Sequence, residues 1–350
     1  MHDLSIQKID NGDNIHFERF LGQDTLKVFV CEYITGGGLY PGELPTSLAR
    51  EGSLMRDAVL RDLMQLENIE TICPHDQRLP APELANTAVE VSEDAWSVWE
   101  TCINQADAVL PIAPETEGAL LRLTRMIEQH GKLLLGCSAE GVKLTSSKLL
   151  TCQTLQASGI DVVPTFKASA FPIAQYGQCV AKPDDGVGCE GTRLFAEPSA
   201  FLHWLTESDR TNEVAQPYVP GIAASLSMLC SQGHAWLLSC NRQKIHLVEN
   251  QFVYSGSHLN AEGDHWTQAA QLARRIAAAI PTLSGYIGVD VILHGDRISV
   301  LEVNPRLTTS YAGLHQALGH NPAGLLLDLL YNCRFPPDSF KMPERSLALI

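Results

Sequence analysis

The chain has 350 residues, 45% of them hydrophobic, which supplies enough apolar material for two or three packed domains without disulfide or metal staples. Its 25 Lys and Arg against 40 Asp and Glu give a formal charge of -15, which repels nucleic-acid phosphates and anionic membrane surfaces. Nucleic acid is thereby excluded as a partner, a local basic pocket for one nucleotide aside, and the lack of any apolar run of about 18 residues excludes a membrane-spanning helix.

Residues 1–25 read as a polar extension, because no basic segment there precedes the apolar core of a secretory signal. The ten cysteines are scattered singly, with no CxxC pair, and read as reduced and mostly buried thiols of a cytoplasmic protein. From about Lys27 the chain alternates β-branched runs with amphipathic stretches, the pattern of βαβ units around a mainly parallel sheet. KVFVCEYI is a predicted strand. A helix follows at about residues 45–66, carried by Leu48, Leu54, Met55, Ala58, Leu63 and Leu66 at helical spacing, and IETIC is a second strand. A helix at 94–105, the strand ADAVLPIA, a helix at 117–129 and the strand KLLLGC complete an N-terminal α/β domain over residues 26–140.

A helix predicted at about 146–158 leads into strand-rich material (FKASA, QCVAKP, GTRLF), a short helix at 198–206 and the strand EVAQPYV. These form a small α+β unit over 141–215. The remainder, 216–350, carries antiparallel strands (SLSMLC, HAWLLSC, KIHLVENQFVYSG), a helix at 266–279, a hairpin at 286–304 and a last helix at about 322–331. The chain contains neither an internal repeat nor a low-complexity tract.

The hairpin GYIGVDVILHGDRISVLEVNPR carries the chemistry. With a loop at Gly295–Arg297, His294 pairs with Ile298 and Asp290 lies opposite Glu302, on the same face as Asn304. Val289, Val291, Leu301 and Val303 then turn to the core. Two facing carboxylates on a half-buried surface are costly unless a cation neutralises them, and oxygen donors on rigid strands suit Mg²⁺, with Mn²⁺ as a substitute. The plainer alternative is a solvated face with an accidental acidic pair. Arg306, in the Asn-Pro-Arg that follows, adds a cation suited to bidentate phosphate or carboxylate contact.

Lys182 ends an apolar strand and is followed by Gly186, Gly188 and Gly191, a loop whose backbone N–H groups can fold around phosphate. It is not a Walker A loop, which requires GxxxxGK[ST]. In VAQPYVPG, Pro217 and Pro220 remove donors, which leaves the peptide groups of Gln216, Tyr218 and Val219 to meet a flat heterocycle edge. Lys148 lies early on a helix. Each of these features alone also fits a purely structural role.

In order and spacing, the helix lysine, the lysine before a glycine loop, the Gln-x-Tyr-Val hinge and the Gly-Val-Asp strand paired with Glu-Val-Asn-Pro-Arg resemble the ATP-grasp superfamily. The resemblance covers roughly residues 140–330. It implies an ATP-grasp fold: an open N-terminal α/β (pre-ATP-grasp) domain and two α+β subdomains that grip ATP. An acyl phosphate would form on a carboxylate substrate before an amine attacks it. Carried over, Lys148 and Lys182 contact the phosphates, Gly186 to Gly191 form a lid, and Gln216, Tyr218 and Val219 line the adenine pocket. Asp290, Glu302 and Asn304 hold Mg²⁺, and Arg306 and Lys182 act on the transferring phosphoryl group. Two positions depart from the family pattern: Ser147 stands where many relatives have Asp, and Ala223, Ala224 and Ser225 stand where many have a ribose-binding carboxylate.

The opening VFVCEYITGGGL, with NRQKI and NPRLTTSYAGL, is similar to the ATP-grasp group that includes the tyramine–glutamate ligases of methanofuran biosynthesis. That likeness implies amide formation between glutamate and tyramine or a tyrosine-like amine. Arg242, Gln243, Arg306 and Ser310 would fix the amino acid, and Glu32 or Thr35 would stand on the amine side. A homodimer is compatible with the sequence. Three other readings stay open: a ligase for another amino acid or dipeptide, a non-catalytic ATP-binding regulator, and a dinucleotide-dependent oxidoreductase. The retained metal ligands argue against the second, and the lack of GxGxxG after the first strand argues against the third.

Overall fold

The computed structural model of the chain describes residues 25–336 and 347–349, so the polar extension, Thr25 apart, lies outside the described residues. The N-terminal layer is a parallel sheet of five strands: β1 (Leu26–Glu32), β2 (Ile69–Asp76), β3 (Thr87–Val91), β4 (Ala108–Ile112) and β5 (Leu133–Leu134). Their order is β3-β2-β1-β4-β5. β1 is apolar on both faces because both are covered. Val28 and Val30 pack with Met55, Val59 and Leu63 of helix Thr46–Met64. Phe29 and Cys31 pack with Trp99, Ile103, Leu123 and Ile127 from helices Ala95–Gln105 and Ala119–Gln129.

The predicted elements of this layer are present with different limits. β1 stops at Glu32, and Tyr33 and Ile34 enter a turn; KLLLGC contributes only two strand residues. The strand TAVEV was not predicted. It is the sheet's edge and is largely exposed, so it carries little apolar signal. Leu54, one of the apolar residues at helical spacing, is 39% exposed.

The second sheet is antiparallel. It comprises β6 (Phe166–Lys167), β7 (Cys179–Pro183), β8 (Arg193–Phe195), β9 (Glu213–Pro217), β10 (Ile222–Ser231), β11 (His234–Val248), β12 (Gln251–Leu259), β13 (Gly285–His294), β14 (Arg297–Asn304) and β15 (Leu347–Leu349). The path runs β14-β13-β10-β11-β12-β8-β7-β9-β6, with β15 on β12. Between β12 and β8 the register is a single pair, Gln251 with Arg193. The small end, β6 to β9, has its own aromatic core of Phe171, Phe195, Phe201 and Trp204. The large end packs on helix Trp266–Ala279 through Leu272, Ala273 and Ile276.

The helix predicted over 146–158 is present as Lys148–Ala157, capped where the Ser147 side chain accepts from Leu150 N, and a further helix that was not predicted, Ala139–Thr145, precedes it. Two predicted strands are revised. FKASA is strand for two residues and then a 3-10 turn. KIHLVENQFVYSG is broken by Glu249 and Asn250, whose φ values of 48° and 64° make the two-residue hairpin turn between β11 and β12. All ten cysteines are free, and eight are buried. Among the described residues no helix is long and apolar enough to cross a membrane.

Candidate active site

A cleft opens between the small and large ends of the antiparallel sheet, and the hairpin β13–β14 supplies two of its acidic residues, Asp290 and Glu302. Asp290 does face Glu302, but the turn is shorter than the sequence reading had it. His294 pairs with Arg297 around Gly295 and Asp296, a register that by itself sets Val289 opposite Glu302 and turns that carboxylate towards the core. A bulge at Leu301 adds one residue to β14 and restores Asp290 opposite Glu302. Val289, Val291 and Val303 are buried as expected, whereas Leu301 lines the cleft.

Glu302 accepts from Lys182 Nζ at 3.2 Å, with Lys148 Nζ at 3.6 Å, and both lysines are buried. Burial alone would raise the Glu302 carboxyl, but the two ammonium groups outweigh it and hold it well below the usual range. Burial, and then the charge of Glu302, push Asp290 upward. Gln243 Nε2 donates to Asp290 Oδ1 at 2.9 Å and Asn304 Nδ2 to Oδ2 at 3.3 Å. Among the described residues there is no cluster of three His, Cys, Asp or Glu side chains fit for a metal. Two facing carboxylates plus an amide are nevertheless the donor set Mg²⁺ accepts when substrate phosphates complete its shell.

The glycine loop joins β7 to β8. Gly188, Cys189 and Gly191 have φ of 61°, 66° and 67°, a left-handed conformation that costs little at the two glycines. Asp184, at the loop's root, accepts from Ser147 Oγ at 2.6 Å and from Leu149 N at 2.9 Å. Lys148 Nζ in turn donates to Gly186 O at 2.6 Å. Loop and helix lysine are therefore one assembly. In the hinge, the Gln216 side chain is buried and donates to Thr165 Oγ1 at 2.9 Å, while the Tyr218 N–H is engaged by Gln178 O at 3.3 Å. Tyr218 and Val219 line the cleft.

Arg306 lies in the cleft with its Nε 2.9 Å from Glu115 Oε2 of the N-terminal layer, and both side chains are nearly buried. Ser310 also reaches the cleft. Of the neighbours Arg242 and Gln243 only Gln243 does, because successive strand residues point to opposite faces; Arg242 pairs with Glu262 on the other side. Glu32 and Thr35 do not line the cleft. They satisfy each other, Thr35 N donating to Glu32 Oε2 at 2.7 Å and Thr35 Oγ1 at 2.6 Å, and thereby fasten the turn after β1.

Four cleft or near-cleft residues escaped the sequence reading: Glu51, Glu115, Cys189 and Tyr254. Tyr254 OH bonds Ser257 Oγ and Thr309 Oγ1 at 2.9 and 3.2 Å. Cys189 had a usable signal, a non-glycine residue inside a glycine loop. The other three come together only through tertiary packing.

Comparison with known proteins bears on the family and the fold. Residues 145–310 match the model of an ATP-grasp domain, and residues 69–142 match that of a pre-ATP-grasp domain. The chain is 29% identical over 273 residues to a tyramine–L-glutamate ligase of Methanocaldococcus fervens, covering 76% of this chain and 83% of that one. A crystal structure from Archaeoglobus fulgidus, described as of the ATP-grasp superfamily, superposes with a TM-score of 0.66 at 24% identity over 89% of both chains. The biotin carboxylase domain of Hydrogenobacter thermophilus 2-oxoglutarate carboxylase, solved with MgADP and bicarbonate, gives 0.70 at 14% identity over 92% of this chain and 73% of that one.

Proposed function

The chain belongs to the ATP-grasp superfamily and is a carbon–nitrogen ligase of that kind, and from that premise we propose that it joins the side-chain carboxylate of glutamate to the primary amine of tyramine, or of a tyrosine-like amine, in the assembly of a methanofuran-type cofactor. The observation that carries this reading is the buried junction of Glu302 with Lys148 and Lys182 opposite Asp290, at the root of the glycine loop. Phosphoryl transfer needs charge neutralisation and positioning rather than a protein nucleophile, and this junction supplies both. The ligase names of the relatives support the substrates.

In this reading Lys148 and Lys182 hold the ATP phosphates, and the loop of residues 186–191 folds its N–H groups over them as the small unit, 141–215, closes on residues 216–350. Asp290, Glu302 and Asn304 would hold Mg²⁺, which would supply charge neutralisation at the phosphates. A glutamate carboxylate oxygen attacks the γ-phosphorus and ADP leaves; Arg306 offsets the charge that develops, kept in place by Glu115. The amine then attacks the acyl carbon and phosphate departs. Gln243 and Ser310 stand where the amino acid would bind.

The test is turnover of ATP and glutamate with a panel of amines, read by mass. A glutamyl amide formed with equal amounts of ADP and phosphate is the expected result. Nucleotide binding without any amide product across amino acids and amines would overturn the reading.

A further inference from the structure

Glu51 is the cleft carboxylate that the assignments above leave unused. It belongs to helix Thr46–Met64 and so reaches the cleft from the N-terminal layer rather than from the antiparallel sheet. Among the described residues it has no hydrogen-bond or ion-pair partner. Arg306, the cation whose field it feels, is committed to Glu115. Burial raises the Glu51 carboxyl, with Arg306 opposing. A carboxylate partly stripped of water and left unpaired costs stability unless something else neutralises it.

The other acids of the cleft are accounted for. Glu302 is taken by two lysines, and Asp290 by Gln243 and Asn304. Glu190 is exposed on the glycine loop. The chemistry of amide formation supplies a partner for the remaining one. A primary amine arrives as an ammonium ion, and its nitrogen attacks only after losing a proton, so it needs first a counter-charge and then a proton acceptor. The α-ammonium of the amino acid needs only the counter-charge.

Resting on the ligase reading, we infer that Glu51 receives the ammonium group of the incoming amine and takes up the proton which that nitrogen sheds. One N–H bond breaks, its electron pair stays on nitrogen, and the proton forms an O–H bond on Glu51. The freed pair then makes the C–N bond, the acyl C–O bond breaks and phosphate leaves with its electrons, and the second proton that the nitrogen must lose to become an amide passes to the departing phosphate. Tyr254, which lines the cleft and feels the charge of Glu51, offers an aromatic wall for the body of such an amine.

The experiment uses the full chain with Mg²⁺, ATP and glutamate, comparing wild type with Glu51→Gln and Glu51→Ala. One series supplies tyramine; the other supplies hydroxylamine, which is largely uncharged near neutral pH and traps an acyl phosphate as hydroxamate. The expected result is a fall of about 100-fold or more in kcat/KM for tyramine, with KM for glutamate and the hydroxamate rate within about threefold of wild type. An unchanged KM for the amine overturns the inference, as does a rise confined to KM for glutamate, which would assign Glu51 to the amino acid. Hydroxamate from wild type without tyramide would instead fail the ligase reading at its amine, and the comparison moves to the amine the panel accepts. If wild type forms neither product, binding decides. Calorimetry with Mg²⁺ and a non-hydrolysable ATP analogue compares tyramine with its uncharged alcohol analogue; a preference for the amine that Glu51→Gln abolishes supports the inference, and one that it leaves intact overturns it.

Discussion

Replacing Glu115 with Gln keeps the shape of the side chain but removes the charge that faces Arg306. The pair lies at 2.9 Å with side-chain exposures of 13% and 6%, so water does little to screen what remains. Two unit charges about 4 Å apart at an effective dielectric near 20 attract by about 4 kcal/mol. The amide oxygen of Gln retains a hydrogen bond worth about 1 kcal/mol, and Glu51 lends Arg306 some residual attraction. The expected loss of stability is therefore about 2–3 kcal/mol, near the lower edge of what breaking a buried pair costs. Urea unfolding of wild type, Glu115→Gln, Arg306→Met and the double variant forms a closed cycle. The double variant should recover at least about 1 kcal/mol relative to the sum of the singles, because neither charge is then left alone. A loss below about 0.5 kcal/mol in Glu115→Gln, or strict additivity in the cycle, would refute the reading that this ion pair fastens the N-terminal layer to the end of the acidic hairpin β13–β14.

Replacing Asp290 with Asn or Glu302 with Gln should lower Mg²⁺-dependent turnover by about a thousandfold or more while circular dichroism stays native; near-normal activity in both would remove them from the metal site. Chelation by EDTA should abolish turnover, restored by Mg²⁺ and in part by Mn²⁺, without shifting the melting curve of the nucleotide-free protein. A Cβ at Gly52 would stand 2.4 Å from Glu32 Oε2 and 2.7 Å from its Cδ, so Gly52→Ala should destabilise by about 1–3 kcal/mol in thermal unfolding; a neutral result would contradict the packing of helix Thr46–Met64 on the turn after β1. Gly191→Ala forces φ of 67° on an L-residue and sets a Cβ 3.1 Å from Pro183 Cδ. It should raise KM for ATP several-fold and weaken the protection of the loop from proteolysis by Mg²⁺ and an ATP analogue, with global stability little changed.

What the sequence made legible was what local chemistry decides. The period-2 pattern, the Gly-Asp turn and the Asn-Pro-Arg that follows pointed to the acidic hairpin, and the lysine before a run of glycines pointed to the loop. The pairing of Asp290 with Glu302 was reached through a three-residue loop, whereas the chain uses a two-residue turn corrected by a bulge. The two routes give the same partners because each adds one residue to β14's side of the count. The cost of that equivalence fell on Leu301, expected in the core and found in the cleft. Arg242 and Glu32 show the limit from the other direction. Charged residues near a motif attract assignment, but strand alternation turns Arg242 away, and the Thr35 hydroxyl and N–H enclose Glu32. Glu115 carries no sequence signal because its partner Arg306 lies 191 residues along the chain, and Glu51 carries none because it reaches the cleft only through tertiary packing.

The central claim is that this cleft activates a carboxylate by phosphorylation and passes it to an amine. Glutamate labelled with ¹⁸O in its side-chain carboxylate tests it most directly, with the released phosphate read by mass after turnover with ATP, Mg²⁺ and tyramine. One ¹⁸O atom transferred to phosphate for each amide formed is the predicted result. Amide formed with unlabelled phosphate, or with the label in AMP, would contradict the acyl-phosphate route and the roles assigned to Lys148, Lys182 and Arg306.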